Sequence, residues 1–211
     1  FAYRKNVLPT SMHPSQAALI VSLAKPYLKE TAQIMDPFCG VGTLLIERAH
    51  LVPAREIYAT DTYGDAITMG RENAEFAKTR INFIHRDFFD FRHDYKFDEL
   101  ITDMPVRNRQ TKAEMELFYE RFFDKAAEHL VSGGIIVMYS NEIGFVKKQI
   151  RLRVEYRLLQ ETCILDKNDF YLFVVRFQAF KKNAGLILYG QRNIFVVSDK
   201  KGWSHDRGVS M

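Results

Sequence analysis

The run Ile34-Met35-Asp36-Pro37-Phe38-Cys39-Gly40-Val41-Gly42-Thr43 constrains this chain more than any other stretch. It reads as a buried strand that breaks into a glycine turn and opens a helix. Glycine lacks a Cβ, so Gly40 and Gly42 admit positive φ and let the backbone come close to a ligand. The helix beginning near Thr43 directs its free N–H groups at whatever occupies the corner. Strand, glycine turn and helix in that order make a nucleotide-binding corner. Asp36 narrows the ligand, because a carboxylate beside a helix N-terminus repels phosphate and argues against a dinucleotide held by its pyrophosphate. A nicotinamide oxidoreductase is further disfavoured because no third glycine follows the pair.

Around this corner, apolar periodicity alternates between helix and strand. A helix follows Pro14 and Ser15 and runs to about Pro26. Strands are expected over Gln33–Met35, Glu56–Thr60, Ile81–His85, Phe97–Thr102 and Ile135–Tyr139, with helices over Thr43–His50, Gly64–Lys78, Lys112–Leu130 and Glu142–Arg151. Ser132-Gly133-Gly134 reads as a tight turn before the fifth strand. That strand is almost continuously apolar, as expected when both faces are covered in a parallel sheet. Val154–Ile164 and Phe170–Phe180 form an antiparallel pair around the turn Asp166-Lys167-Asn168-Asp169. The expected fold is therefore α/β: a doubly wound, mostly parallel seven-stranded sheet closed by a C-terminal antiparallel hairpin. The chain divides into a main domain over 1–180 and an extension over 181–211, with a further hairpin over Gly185–Tyr189 and Asn193–Val197 and a loose polar end.

The chain has 211 residues, 47% of them apolar and 27% charged, enough for one large core. A net charge of +4 is compatible with a polyanionic partner without establishing one. Only Cys39 and Cys163 are present, which suits a reducing compartment, and neither has a metal-ligand neighbour pattern. No apolar run approaches the roughly 18 residues of a membrane span and the start has no signal-peptide layout, so a cytoplasmic protein is expected. The chain opens on Phe1 rather than Met, as a piece of a longer protein would.

Ligands of such sheets bind at the carboxyl ends of the strands. Asp36, Asp61, Asp87 and Asp103 each sit at or just beyond one, so four acidic residues converge on one rim. Asp61 alone also fits a cap or Asx turn, Asp90 could replace Asp87, and Glu47 reads as a solvated helix residue. His13 reads as a loop residue near the rim, and Cys39 as a small residue filling the turn.

Asp36 to Glu47, Asp-Pro-Phe-Cys-Gly-Val-Gly-Thr-Leu-Leu-Ile-Glu, taken with Phe97-Asp98-Glu99-Leu100-Ile101-Thr102-Asp103-Met104-Pro105, resembles the S-adenosylmethionine-dependent RNA methyltransferases usually found behind a THUMP domain. The resemblance spans roughly Tyr3 to Phe177 and implies the Rossmann-like class I methyltransferase fold. It implies S-adenosylmethionine as cofactor, whose cationic amino group and sulfonium favour carboxylates where phosphates would not. Asp36 and Pro37 would meet the methionine end, Gly40, Gly42 and Thr43 would make room for the methionyl and ribose portions, and Asp61 would accept the ribose hydroxyls. Asp87 would accept from the adenine amino group, with Phe88 packed on the ring. Asp103-Met104-Pro105 stands where amino-group methyltransferases hold the exocyclic nitrogen of a base. It agrees with the Asp-Met/Leu-Pro-Phe-Gly variant of enzymes modifying guanine in tRNA.

Val106-Arg107-Asn108-Arg109 then replaces the aromatic and the glycine, so the usual base-stacking residue is absent. Arg107 is placed to stack through its guanidinium or hold a phosphate, or else to be an exposed loop residue. Arg4, Lys5, Arg107 and Arg109 are the expected RNA contacts. The helix and tail cations (Lys147-Lys148, Arg151-Arg153, Lys181-Lys182, Lys200-Lys201) read as solvated. The implied activity is methylation of an exocyclic base nitrogen in RNA, guanine in tRNA above others, without metal. An RNA-binding domain upstream of Phe1 would deliver the substrate. The alternatives are a cofactor-binding scaffold with a degenerate loop, or a methyltransferase for a protein or small molecule.

Overall fold

The structure, a computed structural model, describes residues 1–165 and 169–179. The helices are α1 (Pro14–Ala24), α2 (Thr43–Leu51), α3 (Gly64–Phe76), α4 (Lys112–His129) and α5 (Ile143–Leu152). The strands are β1 (Gln33–Asp36), β2 (Glu56–Asp61), β3 (Asn82–His85), β4 (Phe97–Asp103), β5 (Leu130–Ser140), β6 (Tyr156–Leu165) and β7 (Phe170–Phe177). They form one sheet in the order β3-β2-β1-β4-β5-β7-β6. The first five strands are mutually parallel; β7 lies antiparallel between β5 and β6.

Side chains alternate across a strand, and that alternation sorts the core into two layers. Ile34, Ile101 and Val137 face α1 and α2 with Ile20, Val21 and Leu45. Their chain neighbours Met35, Leu100, Ile136 and Met138 face the other side with Phe122, Phe123 and Val146 of α4 and α5. Residues 135–140 are all buried, as a strand covered on both faces requires. The chain winds outward from β1 through β2 and β3, then returns to add β4 and β5 on the other side. The reversal falls between β1 and β4, the crevice where open α/β sheets bind ligands.

Three details differ from the sequence expectation. Ser132-Gly133-Gly134 is not a turn ahead of the strand but lies within β5. Pairing runs Phe97↔Leu130 and then Glu99↔Ile135, so the extra residues bulge out, with Gly133 at φ +88. Helix α3 stops at Phe76, and Lys78 takes φ +53 beyond its end. Arg48 and Glu99 form a buried ion pair that periodicity does not reveal. Arg48 donates through Nε at 2.9 Å and Nη2 at 2.8 Å to the two carboxylate oxygens, tying α2 to β4. Residues 166–168 of the expected turn and the proposed hairpin and tail beyond 179 lie outside the described residues. Among the described residues no helix is long and apolar enough to cross a membrane.

Candidate active site

A cavity of about 360 Å3 opens at the β1/β4 crevice. Asp36, Phe38, Gly40 and Thr43 line it from the glycine turn, Asp61 from the end of β2, and Asp103, Met104, Pro105 and Val106 from the end of β4. Leu8, Thr10, Ser11 and Met12 of the N-terminal segment add a further wall. A cavity of similar size, about 370 Å3, lies at the opposite ends of β2 and β3 around Arg55, Lys78 and Arg80. Helices α2 and α3 end there, so those cations complement the negative ends of the helix dipoles.

Asp36 closes β1 and is 2% exposed. Its Oδ1 accepts the Phe38 amide at 3.0 Å, the bond that starts the turn. Burial pushes its carboxyl up to about 8 against the pull of that amide, and the negative charges of Asp103 and Asp61 add to the rise. Asp61 braces the turn from the next strand: Oδ2 accepts Gly40 N–H at 2.8 Å and Oδ1 accepts Tyr63 N–H at 2.9 Å. The second bond is an Asx turn, yet each oxygen keeps a lone pair for the cavity. Asp103 ends β4 at the cavity rim, where burial pushes its carboxyl up to about 7. Next to it Met104 N–H reaches Tyr139 O at 2.9 Å, extending the β4–β5 ladder by one bond before Pro105 ends it. Thr43 is buried in the cavity wall and its Oγ1 has no hydrogen-bond partner among the described residues.

The two glycines have different tasks. A Cβ on Gly40 (φ +50) would meet nothing within 4 Å, and this residue faces the cavity. A Cβ on Gly42 (φ +79) would sit 2.8 Å from Cζ of Phe83. Gly42 therefore makes room for the core rather than for a ligand. Pro37 is likewise not part of the cavity wall; its carbonyl accepts the Thr60 hydroxyl at 2.9 Å.

Asp87 and Phe88 are not at the cavity either. Asp87 caps the short 3-10 turn Phe88–Asp90, accepting Phe89 N–H at 2.9 Å. Phe88 is 1% exposed and packed among Phe38, Phe122 and His129, so its faces are spent on the core and cannot stack on an adenine. Phe38, one turn residue after Pro37, is the aromatic that does reach the cavity.

The N-terminal segment is stitched to the domain by hydrogen bonds to α2 and α3. Glu47 is buried and accepts the Tyr3 hydroxyl at 2.5 Å, not solvated. Asn73 Oδ1 accepts the amides of Lys5 at 3.0 Å and Asn6 at 2.9 Å. Arg4 donates through Nη2 to the carbonyls of Ser11 at 3.2 Å and Met12 at 3.0 Å, so its guanidinium braces the cavity wall. Lys5 lies over the Phe76 ring, 5.2 Å from its centre. His13 caps α1, accepting from Ser15 N–H. Cys39 is buried, and burial raises its thiol well above the ordinary range, which suits a filler. Arg107 approaches Glu142 at 3.7 Å and remains partly exposed, whereas Arg109 is exposed without an ion pair among the described residues. Lys147 pairs with Glu161, Lys148 with Glu116 and Arg153 with Asp124.

A family model described as RMKL-like, methyltransferase domain, matches residues 2–162. A tRNA (guanine(10)-N2)-dimethyltransferase of Methanothermobacter thermautotrophicus is 32% identical over 157 residues, covering 71% of this chain and 46% of the relative. A release factor glutamine methyltransferase of Lactococcus lactis is 26% identical over 155 residues, covering 64% and 56%. The chain thus spans about half the length of these relatives. Among solved structures, TrmN from Thermus thermophilus superposes with a TM-score of 0.70 at 21% identity over 83% of this chain and 52% of that one. A methyltransferase from Pyrococcus furiosus gives 0.66 at 13% identity over 83% and 88%. These likenesses show the class I Rossmann-like methyltransferase fold. With the family match extending over well more than half its length, the chain belongs to the RMKL-like methyltransferase-domain family.

Proposed function

We propose that residues 1–180 are the catalytic domain of an S-adenosylmethionine-dependent methyltransferase acting on an exocyclic base nitrogen of RNA, guanine in tRNA before other substrates, with 181–211 an appended extension. One observation carries the reading: the Gly40 turn with its carboxylates and the Asp103-Met104-Pro105 loop wall a single cavity at the sheet's switch point. The tRNA guanine methyltransferase among the relatives supports the acceptor.

The residues present fit the cofactor. Asp36, Asp61 and Asp103 face the cavity with no cation paired to them among the described residues, and burial raises the pKa values of Asp36 and Asp103, the state a cationic ligand relieves. The unpartnered Thr43 hydroxyl and the open space above Gly40 add a hydrogen-bonding group and room. S-adenosylmethionine, when bound, supplies the methyl group. Asp36 would hold its amino group and Asp61 its ribose hydroxyls. Asp103 accepts an N–H of the base amine, which fixes the nitrogen's orientation. A carboxyl poised at about 7 can also take the proton that nitrogen sheds.

Calorimetry with S-adenosylhomocysteine and tritiated methyl transfer to bulk tRNA test the proposal. Wild type is expected to bind and to label tRNA. Asp103→Ala is expected to keep binding and lose the label. Absence of binding overturns the cofactor, and binding without transfer replaces the enzyme by a scaffold.

A further inference from the structure

Pro105 and Val106 line two cavities at once: the cofactor cavity, and a second of about 290 Å3 on the α4 side. Met115, Leu117, Phe118 and Arg121 complete much of the second wall. Two of its apolar side chains are left open to water, Val106 at 51% and Leu117 at 55% exposure. Phe118 packs 5.4 Å from the Phe38 ring at a tilt of 39° and edge-on to the Phe89 ring, 5.5 Å away at 86°. Phe38 itself lines the cofactor cavity, so one aromatic cluster borders both spaces. The Arg121 guanidinium lies 4.2 Å over the Phe89 ring.

The start of α4 is capped on both sides of its first turn. Thr111 and Glu114 form a capping box in which Glu114 Oε2 accepts the Thr111 amide at 2.7 Å and its hydroxyl at 2.9 Å. Glu114 also lines the second cavity, and its Oε1 takes no hydrogen bond among the described residues. The space therefore offers an aromatic side chain, apolar walls and one free acceptor. Arg121 in its wall suits a phosphodiester. A flat ring bearing N–H donors on a polyanionic chain matches each feature.

We infer that this second cavity is the nucleobase subsite of the RNA substrate, with Phe118 of α4 supplying the stacking ring that Val106 removes from the loop. The inference rests on the RNA methyltransferase reading above. A base turned out of the RNA lies between Val106 and Phe118 with its exocyclic amine directed past Pro105 to Asp103, Glu114 Oε1 accepts from another N–H of the base, and Arg121 meets the backbone.

Tritiated methyl transfer to bulk tRNA tests it in wild type, Phe118→Ala, Phe118→Tyr and Leu117→Glu, with S-adenosylhomocysteine calorimetry on each. Loss of base stacking predicts a fall of about tenfold or more in kcat/KM for Phe118→Ala and near-complete rescue by Phe118→Tyr. Leu117→Glu places a charge in the cavity from a half-exposed position and should raise KM for tRNA about tenfold. Affinity for S-adenosylhomocysteine should stay constant in all four. If Phe118→Ala fails to fold, Leu117→Glu decides alone. Wild-type kcat/KM in Phe118→Ala and Leu117→Glu overturns the subsite while leaving RNA methylation standing. Wild type that labels no RNA overturns the reading beneath it, and label in protein that depends on Phe118 assigns the cavity to a protein side chain instead.

Discussion

Alanine at Gly40 and alanine at Gly42 should fail in different ways, although the two residues stand one apart in the same turn. Both have left-handed backbones, at φ +50 and +79, and a Cβ there costs about 1–2 kcal/mol. For Gly40→Ala that is the whole cost to the fold, since the new methyl meets nothing within 4 Å. For Gly42→Ala the methyl would lie 2.8 Å from Phe83 Cζ, which adds about 1–3 kcal/mol of overpacking. Phe83 cannot swing away toward α3, because a Cβ-sized space at Gly70 is already closed by the same ring at 2.6 Å. At roughly 2–4 °C per kcal/mol for a domain of this size, Gly40→Ala should lower Tm by roughly 2–8 °C and Gly42→Ala by roughly 4–20 °C. Binding should invert the order. The Gly40 methyl projects into the cavity and should weaken S-adenosylhomocysteine about tenfold or more, about 1.4 kcal/mol, while Gly42→Ala binds within about threefold of wild type. Thermal melts and calorimetry at a temperature where both variants are folded check this. If Gly40→Ala melts lower than Gly42→Ala and binds normally, the assignment of one glycine to ligand and the other to core is refuted.

Asp36 and Asp103 set a pH dependence. Their folded values, pushed up to about 8 and about 7, lie above the unfolded value near 3.8, so the native state binds more protons than the unfolded state between these limits. Their contribution to stability is complete below about pH 4 and is lost as pH rises to about 8; urea midpoints of wild type against Asp36→Asn should show that slope shrink in the variant. Glu99→Leu leaves Arg48 charged in the core and should cost about 3–5 kcal/mol, whereas Arg48→Met with Glu99→Leu should recover most of it. Equal urea stability of the single and double variants would contradict that account.

The element order was readable because it rests on local signals. Glycine and proline mark the breaks, and alternation of Ile34/Met35 or Leu100/Ile101 reports a sheet buried on both faces. Gly133 misleads for the same reason: twin glycines look like a turn, and only pairing with β4 makes them a bulge. Phe88 and Phe38 are equivalent as letters, an aromatic near a strand end. Which one reaches the cavity depends on how α4 packs over both. Glu47 and Arg48 look like helix charges meant for water. Their partners, Tyr3 and Glu99, stand 44 and 51 residues away, beyond any helical period.

By itself, the sequence determined that a strand ending in Asp36 breaks at Gly40 into a helix, and that further acidic residues end the strands that follow. Backbone sterics and side-chain alternation act over a few residues, so they are written locally. The tertiary structure alone decided which of those residues share a cavity. It set Asp36, Asp61 and Asp103 around one space and left Asp87 capping a turn, it turned Gly42 toward Phe83, and it brought Phe118 beside the Pro105 loop. Burial and proximity between distant segments are properties of the packed sheet and helices, and no local pattern encodes them.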